Sequence, residues 1–250
     1  MTDSLSQATQ STTQATTKPT LVLLPGLLCD EALWAPQVEA LANTVTSWVA
    51  DLKRDDTIEA MAQRVLDEAP AERFALAALS MGGYVALEIM RRAPQRVTRL
   101  ALLDTRSRAD EPEDTQRRVM FMRLAENEGG FTPITSRMLP LLVHPARVND
   151  PVLVQTIREM ADRTGVAAYV RQQNAMITRP DYRPSLPAIA CPTLVLCGRE
   201  DVLTPLAMHT EIAAGIPNSK LVVLEQCGHL STLERPLEVS AALRTWLRDR

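Results

Sequence analysis

Aromatic side chains make up only 4% of the 250 residues, and nine glycines stand against 17 prolines with no glycine or heptad period. That poverty excludes collagen, a coiled coil and a nucleic-acid reader built on stacked aromatics. An excess of one charge is missing too, because 27 Lys plus Arg against 30 Asp plus Glu leave a net charge of −3. Without a basic patch, neither nucleic acid nor an anionic membrane is an expected partner. No apolar run approaches the roughly 20 residues that span a bilayer, and the first residues lack the basic region and apolar stretch of a secretory signal. The expected compartment is therefore the cytoplasm. Four cysteines, Cys29, Cys191, Cys197 and Cys227, have neither the Cys-x-x-Cys spacing of a zinc site nor the density of a disulfide scaffold, so reduced, buried thiols are expected.

What the chain does have is 46% hydrophobic residues over a length suited to one well-packed domain. Residues 1–18 are the exception. They are mostly Ser, Thr, Gln and Ala, with Leu5 as the one large aliphatic side chain, too little apolar surface to offset the entropy of ordering, and are expected to form a disordered tail. From Thr20 onward, short continuous apolar runs alternate with longer helical patterns, as in a buried parallel sheet with crossover helices. The strand candidates are Thr20 to Leu24, Thr46 to Ala50, Phe74 to Leu79, Val97 to Leu103, Thr193 to Cys197 and Leu221 to Leu224. Helical spacing runs over Ile58 to Ala69, Met81 to Arg92 and Leu237 to Leu247.

Between Arg106 and Pro187 no convincing strand occurs. Helical patterns cover Glu113 to Asn127, Pro151 to Arg163 behind the N-cap Asp150, and Val166 to Ile177 behind Gly165. This stretch reads as a helical cap over 106–187, inserted into a core of 19–105 and 188–250. It holds 12 Arg against 10 Asp plus Glu, an excess of two, too small in composition to argue for an anionic substrate. Phe121, Met122, Phe131, Met138, Leu141 and Leu142 are its candidate apolar pocket walls.

Three short segments carry the chemistry. In FALAALSMGGYVALEIMRR, Phe74 to Arg92, an apolar strand turns directly into a helix at Ser80. Such an elbow lifts the hydroxyl above the sheet and leaves the Met81 N–H at a helix N-terminus. A serine ahead of a helix is also a common N-cap. The second segment, Gly198 to Pro205 (GREDVLTP), sets Asp201 in a loop at the carboxyl end of a strand, where ligand sites of open α/β sheets gather. Glu200 is its rival and is expected to face solvent; Asp104, ending the preceding strand candidate, is an alternative acid. The third, Cys227-Gly228-His229, ends the last strand with the one histidine of three suited to be a base, since His144 precedes Pro145 and His209 lies in the helix after Pro205. A serine hydroxyl is a poor nucleophile at neutral pH, so His229 would take its proton and Asp201 would orient the ring. The loop Leu24-Pro25-Gly26-Leu27-Leu28-Cys29-Asp30 offers the Leu27 N–H as a second oxyanion donor beside Met81.

These segments, with Pro25-Gly26 followed by Trp34, Ala93-Pro94-Gln95-Arg96-Val97 leading to Asp104, and CGHLSTLERP around His229, resemble an α/β-hydrolase-fold serine hydrolase over residues 20–250. The likeness is to the carboxylesterase group that includes pimeloyl-carrier-protein methyl esterase, enol-lactonases and carbon-carbon bond hydrolases. It implies a mostly parallel, doubly wound α/β sheet with a helical cap inserted after the sixth strand. Implied with it are a catalytic Ser80, Asp201 and His229, an oxyanion hole of the Leu27 and Met81 N–H groups, no cofactor and no metal. The expected reaction is hydrolysis of a small-molecule ester or lactone through an acyl-enzyme. The alternatives are cleavage of a diketone carbon-carbon bond and a non-turnover binding protein on the same scaffold. Two departures stand out: Pro25-Gly26 replaces the usual His-Gly, removing a side chain that often props the oxyanion loop, and Ala78 replaces the first glycine of the elbow. Neither deletes a reacting group. Relatives of the fold that act on haloalkanes or epoxides carry aspartate at the elbow, which Ser80 argues against. Trp34 and Tyr84 are expected to pack beneath the site. The sequence carries no signal for an oligomeric state.

Overall fold

Six parallel strands form one sheet, β1 (Thr20–Leu24), β2 (Thr46–Val49), β3 (Phe74–Leu79), β4 (Val97–Leu103), β5 (Thr193–Gly198) and β6 (Ser219–Leu224), in the spatial order β2-β1-β3-β4-β5-β6. The computed structural model describes residues 18–127 and 132–249. The predicted tail therefore lies, apart from Lys18, outside the described residues. All five pairings are parallel, from Leu21 beside Ala75 to Gly198 beside Leu224, and the β3–β4 ladder shifts register once, between Phe74 and Ala75.

Strands β1, β3 and β5 read as nearly unbroken apolar runs because both of their faces are covered. Along β3, Phe74, Leu76 and Ala78 enter one core while Ala75, Ala77 and Leu79 enter the other, the two-residue period of a strand. The first core is roofed by α2 (Ile58–Glu68), α3 (Met81–Arg92) and α8 (Leu206–Gly215). The second is closed by α1 (Ala35–Leu41) and α10 (Pro236–Arg248), with the one-turn α9 (Ser231–Glu234) leading into α10. Helix α3 is buried from Met81 to Met90 and surfaces only at Arg91 and Arg92, as a helix sandwiched between a sheet and α2 must be. Burying Val85, Leu87 and Ile89 there contributes about 1.5–3 kcal/mol each.

The helical stretch between β4 and β5 comprises α4 (Pro112–Asn127), α5 (Thr132–Leu142), α6 (Pro151–Thr164) and α7 (Val166–Thr178). It leaves from the fourth strand of the described sheet rather than the sixth. The reason is positional: β4 pairs with β3, so a chain leaving β4 stands directly beside Ser80, while β5 and β6 are still needed to extend the sheet on that side. Helix α5 has no counterpart in the sequence reading. It holds Pro140, a residue that removes a backbone donor and normally breaks a helix, so the pattern around it reads as irregular. No described helix is long and apolar enough to cross a membrane.

Candidate active site

Ser80 sits between the last residue of β3 and the first of α3 with φ 55° and ψ −116°, a strained backbone for a residue with a Cβ. Three bonds hold it there. Its N–H donates to Leu103 O at 3.0 Å, and its carbonyl accepts from Gly83 N at 2.9 Å and from Thr105 Oγ1 at 2.8 Å. Gly82 makes the turn possible, because a Cβ there would lie 2.5 Å from Leu24 O and 2.8 Å from Pro25 O. Ala78, at the position of the usual first glycine of the elbow, lies fully buried in the core on α3's side of the sheet. The Ser80 side chain makes no capping bond to α3, which removes the N-cap reading.

The hydroxyl turns instead to His229. Ser80 Oγ and His229 Nε2 are 2.8 Å apart, and His229 Nδ1 lies 2.8 Å from Asp201 Oδ2. With the carboxylate opposite Nδ1, the network assigns the ring proton to Nδ1 and leaves Nε2 to accept from Ser80. Burial by itself would raise the Asp201 carboxyl, but the His229 charge and hydrogen bond and the Thr204 donors outweigh it, holding it below its ordinary value. Burial likewise opposes charge on His229, yet Asp201 and the further carboxyls of Asp104 and Glu234 lift it above its ordinary 6.5.

Residues that the motifs did not flag build the frame. Thr204 Oγ1 donates to Asp201 Oδ2 at 2.5 Å, while the N–H groups of Leu203 and Thr204 donate to Oδ1 at 2.9 and 3.0 Å. An aspartate followed at the third position by threonine is a turn signature that the sequence could have yielded. Asp104, the alternative acid, turns elsewhere: its carboxyl accepts from Gly198 N at 3.1 Å and from the N–H and hydroxyl of Ser231. Burial, and then the neighbouring Asp201 charge, raise it to about 8. Glu200 is half-buried rather than solvent-facing, and accepts from Cys227 N at 2.9 Å. His209 is buried, accepts from Thr105 N at 2.9 Å, and is pushed by burial down to about 4.

The loop after β1 faces Ser80 across a cavity of about 130 Å³ lined by Gly26, Leu27, Leu28, Cys29, Ser80 and His229 among others. The N–H groups of Leu27 and Met81 have no acceptor among the described residues. Leu28, in the left-handed region at φ 59°, donates its N–H to Gln172 Oε1 at 3.1 Å, and Gln172 Nε2 donates to Leu52 O at 3.2 Å. Asp30 is gripped by Arg163 of α6 at 2.6 Å. Cap side chains thus brace the loop in which Pro25 replaces a histidine, and nothing local to that loop announces them. The Cys29 thiol, pushed up to about 12 by burial, donates weakly to Leu27 O.

From the cap, Phe121, Met138, Leu141 and Leu142 line the cavity, Met122 packs beside Leu28, and Phe131 lies outside the described residues. Trp34 is buried beneath. Tyr84 lines the cavity itself rather than only packing below it. The carbonyl of Leu142 accepts from both His229 N and Leu230 N at 3.1 Å, tying the cap to the histidine loop. No cluster of metal-ligating side chains occurs among the described residues.

The profile of the Alpha/beta hydrolase family matches residues 21–242. A pimeloyl-[acyl-carrier protein] methyl ester esterase of Nitrosomonas europaea is 27% identical over 234 residues, covering 87% of this chain and 91% of its own. A thermophilic esterase from Thermogutta terrifontis, solved with malate bound, superposes with a TM-score of 0.84 at 32% identity, covering 93% of this chain and 90% of that one. The enol-lactonase from Burkholderia xenovorans LB400 superposes at 0.85 with 27% identity, covering 93% and 92%.

Proposed function

The chain belongs to the alpha/beta hydrolase family, and on that premise we propose that it is a cofactor-free serine hydrolase cleaving a small carboxylic ester or lactone through an acyl-enzyme. The observation that carries this reading is the unbroken relay of two 2.8 Å hydrogen bonds, Ser80 to His229 and His229 to Asp201. In the first half-reaction Ser80 Oγ attacks the carbonyl carbon as its proton passes to His229 Nε2, and Asp201 stabilises the resulting imidazolium. The Leu27 and Met81 N–H groups, without other acceptors among the described residues, receive the oxyanion; such a donor typically contributes about 100- to 1000-fold in rate. Collapse breaks the bond to the alcohol oxygen, which leaves with the proton held by His229. A water then repeats the sequence on the acyl-Ser80 ester, giving the acid and restoring the hydroxyl.

The same reading keeps a core of 19–105 and 188–250 under a cap of 106–187. The near-neutral charge supports a small-molecule substrate without nucleic-acid or anionic-membrane partners, and the reading keeps the cytoplasm as the compartment. Incubation with a p-nitrophenyl ester tests the proposal. A burst of p-nitrophenol followed by turnover, both lost in Ser80→Ala, is the expected result. Labelling of Ser80 by a fluorophosphonate with no turnover on any ester would instead make the protein a binding module.

A further inference from the structure

Part of the cavity wall is strongly cationic and plays no part in the Ser80 relay. Arg106, just after β4, and Arg117 and Arg118, on α4, line the cavity. They share their anions. Asp110 receives Arg106, Arg118 at 2.6 Å and Arg179 at 2.8 Å, while Asp114 receives Arg106 at 2.9 Å and Arg117. Four guanidinium groups therefore divide two carboxylates, an excess of two positive charges in one place. The neighbouring Arg108 is already neutralised by Glu211. Taken over the whole cap, the same excess is lost among 22 charged residues; the fold gathers it beside one pocket, with Arg106, Arg117 and Arg118 on the wall and Arg179 buried behind them.

The cluster is also incompletely satisfied. Arg106 is only 8% exposed, and its Nε–H has no acceptor among the described residues. Arg117 is half-exposed at the cavity and, among the described residues, bonds only Asp114. Arg118 is fixed by Asp110 and by Gln173 Oε1 at 2.9 Å, and Arg179 is stacked 4.1 Å over the ring of Tyr84. The rest of the lining is largely apolar, with Leu27, Phe121 and Met160 among it. An ion entering such a lining meets guanidinium groups in a medium that weakens water's competition for them.

We propose that this cluster is an anion subsite, and that the substrate is a short ester or lactone bearing a carboxylate away from the bond that is cleaved. The proposal rests on the hydrolase reading above. A carboxylate is the planar, two-oxygen group that the guanidinium fork matches. The cavity, about 130 Å³, suits a short chain, being well below the roughly 300–1,000 Å³ of sites that enclose drug-sized ligands.

Two matched ester pairs test it, with the carboxylate on the acyl side in one (mono-4-nitrophenyl glutarate against 4-nitrophenyl glutaramate) and on the alcohol side in the other (butyryloxyacetate against butyryloxyacetamide). In at least one pair the acid should be preferred in kcat/KM by about tenfold to a hundredfold, the range of a hydrogen bond to a charged group. Arg117→Gln and Arg106→Gln should each reduce that ratio about tenfold, and 1 M salt should reduce it as well. Because the ratio is internal, a variant that folds poorly lowers both rates and leaves the ratio readable. Equal rates, or a preference for the amide, in both pairs would overturn the subsite and leave the hydrolase reading standing, as would a ratio unmoved by both substitutions. If no ester is turned over, the hydrolase reading fails and binding decides the subsite. Glutarate raising the Tm of the wild type more than glutaramide does, and losing that advantage in Arg117→Gln, supports it; equal shifts sink it.

Discussion

Gln172, in the middle of α7, donates to Leu52 and accepts from the Leu28 N–H, so one buried amide joins the cap to two loops of the core. Leu28 is the residue after the proposed oxyanion donor Leu27, and its own backbone is held in the left-handed region at φ 59°. The support that an adjacent histidine usually gives this loop comes here from 144 residues away.

Gln172→Leu should therefore do two separable things. Leaving the Leu28 N–H and Leu52 carbonyl buried and unpaired costs about 1–3 kcal/mol per group, visible as a lower midpoint in urea. Loosening the oxyanion loop should lower kcat by about tenfold or more with little change in KM, since a misaimed donor fails mainly the transition state. A kcat equal to wild type would show that the loop holds its shape without the cap.

The pH profile should follow His229. A protonated imidazole cannot take the Ser80 proton, and the Asp201 carboxylate holds His229 above its ordinary 6.5. Activity should accordingly rise with pH through a midpoint above 6.5, measured as kcat/KM on a neutral ester. Asp201→Asn removes the charge that holds the proton, so its midpoint should move down while kcat falls by about 10⁴-fold.

Asp104 predicts a stability effect of opposite form to that of an ordinary carboxylate. Burial and then the Asp201 charge raise it to about 8, whereas in the unfolded chain it ionises near its usual 3.8. Between those values the folded state holds a proton that the unfolded state has released, so stability falls as pH rises from about 4 towards 8 and levels off above. Asp104→Asn keeps the hydrogen-bonding shape without the titration. The difference between the two urea midpoints, followed from pH 5 to pH 8, should shift progressively in favour of the variant; a constant difference would mean that Asp104 is already charged.

Gly82→Ala puts a methyl group 2.5 Å from Leu24 O and 2.8 Å from Pro25 O, and neither backbone can yield without moving the oxyanion loop. A loss of about 1–3 kcal/mol is expected from such overpacking, with activity falling further than stability because the moving loop carries Leu27. The same substitution at Gly165, where a Cβ would meet nothing within 4 Å, carries only the cost of its positive φ.

What the sequence determined by itself lies within a few residues of each motif. A strand running into a helix at Ser80, an acid three residues past Gly198 and a histidine after Gly228 are local signals, because strand ends and tight turns are written in adjacent side chains. Their order along the chain and the right-handed crossover between parallel strands left few ways to arrange them. The tertiary structure alone decided who supports whom. Gln172 under Leu28, Arg163 on Asp30, Asp104 between Gly198 and Ser231, and the gathering of four arginines around Asp110 and Asp114 all join distant segments. Buried polar groups must find partners wherever the fold sets them, and partners so far apart in sequence leave no periodicity or spacing to read.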